Sequence, residues 1–92
     1  MVPLEGITVI DLTSVVAGPL ATQILAQQGA RVWKVEPPEG DRSRFLGAVA
    51  SPAFSSTHVA LNADKQSIAI DLGCPDGIAM LRRLVPEADL LI

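Results

Sequence analysis

Two short runs, Ile7-Thr8-Val9-Ile10-Asp11-Leu12 and Arg31-Val32-Trp33-Lys34-Val35-Glu36, carry most of the architectural information in the chain. The first is brief, apolar and β-branched, which reads as a buried strand, and the second reads as a further strand. Thr13-Ser14-Val15-Val16-Ala17-Gly18-Pro19 leaves the first run as a loop. Pro19 suits the opening of a helix, where its missing N–H would be unpaired anyway. Ala17, Leu20, Ala21, Ile24 and Leu25 then recur in steps of three and four, which predicts a helix that buries this stripe. Gln23, Gln27 and Gln28 face elsewhere, and Gly29 is placed to stop the helix. Strand, helix and strand in this order make the unit from which parallel sheets are built.

The same grammar continues downstream. Pro37-Pro38 ends the second strand, and residues 37–52 have the composition of a long functional loop. Ala53 to Asn62 forms a short helix or an irregular turn. Ser67-Ile68-Ala69-Ile70-Asp71-Leu72 alternates as a third strand. Pro75 opens a further helix with Asp76 in its first turn, a stripe of Ile78, Leu81 and Leu84 or Val85, and Arg82-Arg83 near its end. Asp89-Leu90-Leu91-Ile92 begins a fourth strand with an open edge. The expected fold is α/β, a Rossmann-like open parallel sheet of about four strands in the order βαβ(α)βαβ. It reads as one unit, 1–92, forming part of a larger domain.

Composition narrows the function. Apolar residues make up 49% of the 92, and the net charge is −3, which argues against disorder. Seven basic residues face ten acidic ones without a basic run, and the aromatics are Trp33, Phe45 and Phe54, so no nucleic-acid partner is expected. No window of 18 uncharged apolar residues exists, and Glu5 and Asp11 interrupt the apolar start, so neither a membrane span nor a signal peptide is expected. The single cysteine, Cys74, cannot form an internal disulfide or a cysteine-based zinc site, which fits a cytoplasmic protein.

Few side chains announce chemistry. The first turn lacks G-x-G-x-x-G, and Pro19 removes a donor that a pyrophosphate would use, although Glu36 stands where dinucleotide folds place a ribose-binding acid. A Walker A loop is absent. His58 reads as a surface or helix histidine, Cys74 as incidentally close to a helix start, Trp33 as core, and Arg82 and Arg83 as a solvated face. Asp11 and Asp71 lie within the strand runs, so each is a hydrogen-bonded loop organiser or a site residue.

Four blocks in sequence resemble the start of family III CoA transferases, the family of formyl-CoA transferase, carnitine CoA-transferase and α-methylacyl-CoA racemase. They are Pro3-Leu4-Glu5-Gly6-Ile7-Thr8-Val9-Ile10-Asp11-Leu12-Thr13 with Ala17-Gly18-Pro19; Gly29-Ala30-Arg31-Val32-Trp33-Lys34-Val35-Glu36-Pro37-Pro38-Glu39-Gly40-Asp41-Arg42; Asn62 to Leu72; and Pro75-Asp76-Gly77 with Ala88-Asp89. Trp33 stands where the family pattern has an aliphatic residue, and Gln66 where it often has arginine. The resemblance implies chains of several hundred residues whose catalytic aspartate lies beyond residue 92, so no catalytic residue and no metal ligand is expected here. It implies attack of that aspartate on an acyl-CoA thioester and transfer of CoA to a second carboxylic acid, or α-proton movement in the racemases. CoA or acyl-CoA would be a substrate, with no tightly bound cofactor. Matched position by position, Val16 and Ala17 in the first turn, Pro37 after the second strand, and Ile70, Asp71, Leu72 and Gly73 around the adenine are the implied CoA contacts. Family members form interlocked dimers; for 92 residues a simpler symmetric dimer is expected. The alternatives are a racemase-type member, or a non-catalytic α/β module that binds a nucleotide or a partner.

Overall fold

The computed structural model describes residues 2–46, 49–51 and 54–92. In chain order the elements are β1 (Thr8–Asp11), α1 (Ala17–Gln27), β2 (Arg31–Glu36), β3 (Val49–Ser51), β4 (Phe54–Ser55), α2 (Ser56–Asn62), β5 (Gln66–Ala69), α3 (Pro75–Leu84) and β6 (Leu90–Leu91). Single 3-10 turns occupy Arg42–Phe45 and Val85–Glu87. The main sheet has the order β5-β2-β1-β6, and every pairing in it is parallel. β3, at the end of the long loop, and β4, just after it, form a small antiparallel pair. The α/β, Rossmann-like open sheet read from the sequence is therefore the fold.

Period-two alternation divides the core into two layers. Val9 and Val32 face one side and pack with Leu4, Leu25, Ala26 and Ala30, the last two at the end of α1 and just beyond it. Ile10, Val35 and Ile70 face the other side and pack with Trp33, Ile68 and, from α3, Leu81 and Leu84. Gly29, at φ +103, ends α1 as expected.

Three expectations are corrected. The stripe that α1 buries runs through Pro19, Thr22 and Gln23 to Ala26, whereas Leu20 and Ile24 are each 46% exposed. The reason is the polar surface beneath the first half of the helix: Thr22 donates to Asp11 (2.6 Å) and Gln23 to Asp64 (3.1 Å). Spacing gives a stripe, but it does not say which of two overlapping stripes meets the sheet. The third strand is shorter than its alternation suggests. After Ile70, whose N–H reaches Glu36 O at 2.8 Å, the chain turns, and the exposed Asp71 accepts from Gly73 N (2.8 Å). Asp71 is thus a turn organiser outside the strand. Ile78 on α3 and Val85 in the turn after it are exposed, while Leu81 and Leu84 supply the contact.

Trp33 is half-buried rather than enclosed. Its Nε1 donates to Gln66 Oε1 (3.1 Å) across a direct register pair, and the Arg31 guanidinium lies 5.8 Å from the ring centroid. The two positions that depart from the family pattern therefore touch each other. Of the uncertain segment, Ser56–Asn62 is a helix, because Ser55 caps it by accepting from His58 N (3.1 Å). Ala53 lies outside the described residues.

Gly77 supplies a test of how tightly α3 meets the sheet. A Cβ there would fall 1.8 Å from Asp71 O and 2.6 Å from Asp71 C, both backbone atoms. In an open helix Gly→Ala gains about 1 kcal/mol. Here Gly77→Ala is expected to lower stability by about 1–3 kcal/mol, because α3 must shift off the Asp71 carbonyl. Urea unfolding would check this, and a variant at or above wild-type stability would refute the packing argument.

Candidate functional site

The face that carries Val9 and Val32 changes character toward the carboxyl ends of the strands. The next residues on that face are Asp11, Lys34 and Glu36, all at most 3% exposed. Buried charge must be paired and hydrogen-bonded, and each group here is. Asp11 accepts from Thr13 N (2.8 Å), the Thr13 hydroxyl, Thr22 Oγ1 (2.6 Å) and Lys65 Nζ (3.1 Å). The Lys65 ammonium fills its remaining valences with Pro19 O (2.9 Å) and Asn62 Oδ1 (2.8 Å). Lys34 Nζ pairs with Asp41 Oδ2 at 2.7 Å. Glu36 takes a two-pronged pair from Arg44 Nε and Nη2 (2.7 Å each), the Asp41 amide (2.8 Å) and the Ser67 hydroxyl.

Three ion pairs thus join β1 and β2 to the 37–46 loop and to the segment between α2 and β5. Burial raises the Glu36 carboxyl, but Arg44, Ser67 and the Asp41 amide outweigh it and hold the group at about 2. Burial also works against the Asp11 and Asp41 carboxylates, and their hydrogen bonds still keep both below the usual range. Lys65 is pulled down by burial despite Asp11. His58 is buried, not a surface residue. Its Nδ1 lies 3.3 Å from Ser43 Oγ, and burial first, then the Arg44 charge, hold the imidazole below its ordinary pKa.

Above this network the carboxyl ends of three strands enclose a cleft of about 550 Å³. Leu12, Thr13 and Ser14 form one wall, after β1. Pro37 follows β2, and Ile70, Asp71, Leu72 and Gly73 follow β5. The structure thus gathers five of the seven contacts inferred from the family resemblance. Val16 and Ala17 are not among the lining residues; they begin α1 just beyond Ser14. The 37–46 loop closes the far wall with Gly40, Asp41, Arg42 and Phe45. Composition alone did not single out Arg42 or Phe45. In a 3-10 turn, residues three apart eclipse, so both project on one side, and Phe45 is left 58% exposed. Arg44 is turned inward to Glu36, and the Ser43 amide is bonded to Asp41 (2.9 Å).

Cys74 precedes α3, and its thiol meets Asp71 O at 3.4 Å. Among the described residues, no group of three His, Cys, Asp or Glu is placed to hold a metal ion, and no helix is long and apolar enough to cross a membrane.

The network should set the acid limit of the fold. The Glu36 pKa is depressed, so its stabilisation is complete above the ordinary value of 4.5 and is lost as pH falls toward about 2. Glu36→Gln removes this dependence and the ion pair with Arg44. The variant is expected to be less stable at pH 7 by on the order of 3 kcal/mol, with the gap closing as pH drops from 4.5 toward 2. Chemical denaturation across that range measures the difference; a gap that stays constant with pH would contradict it.

Comparison with known proteins identifies the family. Residues 4–92 match the model of CoA-transferase family III. The chain is 46% identical to a succinate–glutarate CoA-transferase of Agrobacterium fabrum, over 98% of this chain and 24% of that protein. It is 38% identical to a human succinyl-CoA:glutarate CoA-transferase, over 98% and 21%. A crystal structure of a CAIB/BAIF family protein from Brucella suis superposes with a TM-score of 0.89 at 39% identity, covering 97% of this chain and 25% of that one. The chain spans about a quarter of the length of these relatives. On sequence and fold together, it belongs to CoA-transferase family III.

Proposed function

We propose that residues 1–92 supply the nucleotide end of a CoA site, as the N-terminal part of a domain in an enzyme that moves CoA between carboxylic acids. The observation that carries the reading is the cleft at the carboxyl ends of β1, β2 and β5, where open α/β sheets bind ligands. Its chemistry suits an adenosine phosphate. The main chain of Ile70–Gly73 can meet the adenine edge, Phe45 offers a ring to stack on, and Arg42 a cation for phosphate. Glu36 and Asp41 line the cleft too, but Arg44 and Lys34 neutralise them, so they do not repel a phosphate.

CoA or acyl-CoA is a substrate in this reading. The nucleophile that takes the acyl group lies outside these residues, and no catalytic role is assigned within them. The names of the relatives support a transferase over a racemase or a binding module. A lone Cys74 fits a cytoplasmic setting. A two-fold dimer, the commonest closed assembly, is part of the same reading.

Titration of CoA into 15N-labelled chain should shift the amides of residues 12–17, Gly40–Phe45 and Ile70–Gly73. Phe45→Ala and Arg42→Ala should each weaken binding by about threefold to tenfold, as expected for one stacking or one charge-assisted contact. Shifts confined to the amino-terminal ends of the strands would disprove the site. Light scattering over a concentration series should show a dimer; a monomer at the highest concentration would remove the association claim.

A further inference from the structure

Directly after the cleft-lining residues Thr13 and Ser14 stands a backbone conformation that its own residue does not explain. Val15 sits at φ +71, among the described residues the one non-glycine with positive φ. A β-branched side chain strongly disfavours that region. The adjoining helix does not supply the restraint locally, because Val16, at the N-cap of α1, offers no side-chain hydrogen bond. The restraint comes from 26 residues downstream. Asp41 Oδ1 accepts from Val15 N at 3.2 Å. Asp41 Oδ2 holds Lys34 Nζ at 2.7 Å, and that ammonium in turn reaches Thr13 O at 3.4 Å. The turn is therefore gripped at Thr13 and at Val15, by two groups that are themselves paired.

We propose that Asp41 is a positioning residue, whose buried carboxylate holds the Thr13–Ala17 turn in its strained conformation and so sets where Thr13 and Ser14, at the start of that turn, stand in the wall of the nucleotide cleft. The same Oδ1 also accepts from Ser43 N (2.9 Å), within the turn that presents Arg42 and Phe45. One oxygen thus sets the spacing between the two opposing walls. The carboxylate is suited to this because it is 3% exposed, so water does not compete for the bonds. The proposal rests on the reading of the cleft as a CoA site, but the hold on Val15 does not require a ligand to be seen.

Asp41→Asn tests the hold. Asparagine has one acceptor oxygen where three donors now converge, and the Lys34 ammonium is the strongest claimant. The Val15 amide should lose its acceptor and exchange with solvent about tenfold faster or more, and its three-bond HN–Hα coupling should move away from the positive-φ value. CoA affinity should fall about tenfold. Val15→Gly then discriminates positioning from simple support of the fold. Glycine adopts φ +71 without strain, so the double variant D41N/V15G should recover CoA affinity to within about threefold of wild type. Support of the fold alone would leave the double variant no better than D41N. Asp41→Glu keeps the charge beside Lys34 while displacing it by one methylene, and is read in the same way should D41N not fold. Unchanged exchange and coupling at Val15 in these variants, or no recovery with V15G, would overturn the proposal. A wild-type chain that shows no CoA-induced shifts would refute the CoA reading instead, and the exchange and coupling at Val15 would still decide the role of Asp41.

Discussion

A lysine ammonium buried in the middle of a parallel sheet has to be neutralised where it stands. Lys34 lies on β2 with strands on either side and is 1% exposed, so its partner must come to it. That partner is Asp41, and bringing it there folds the whole 37–46 loop back over the strand ends. Once the loop is in place, Glu36 is covered as well and requires Arg44. Asp11 on the neighbouring strand requires Lys65, which fixes where α2 ends and β5 begins. The cleft is the space left between these obligations.

This arrangement explains a division of labour along the sheet. Toward the amino ends of the strands, Val9 and Val32 make an ordinary apolar layer with α1. Toward the carboxyl ends the same face is ionic. An isolated ion pair of this kind is weak evidence for stability, since desolvation offsets most of the attraction. Three pairs with nearly every valence filled instead specify geometry. They let a loop without regular period hold Arg42 and Phe45 at a defined place, and they neutralise the two carboxylates, Glu36 and Asp41, that line the cleft. The cost of the polar layer is visible on α1, which turns Thr22 and Gln23 inward and leaves Leu20 and Ile24 on the surface.

The sequence by itself determined the fold class, the alternation of parallel strands and helices, and several boundaries that depend on local chemistry, but not the β3–β4 pair. Arg31–Glu36 is a strand because it is short and β-branched, Gly29 stops α1 because it tolerates φ +103, and Pro75 opens α3. The four family-like blocks also pointed to Pro37 and Ile70–Gly73, which meet in one cleft. Tertiary structure decided what depends on partners distant in the chain. Val32-x-Lys34-x-Glu36 on one face of a buried strand was a signal that charges would need company, but alternation cannot name Asp41 or Arg44 as that company. Periodicity could not say which stripe of α1 meets the sheet, because Asp11 and Lys65 make part of that surface polar. Nor could it place Val15 in the left-handed region, since the residue itself opposes that conformation and its amide meets a carboxylate 26 positions away.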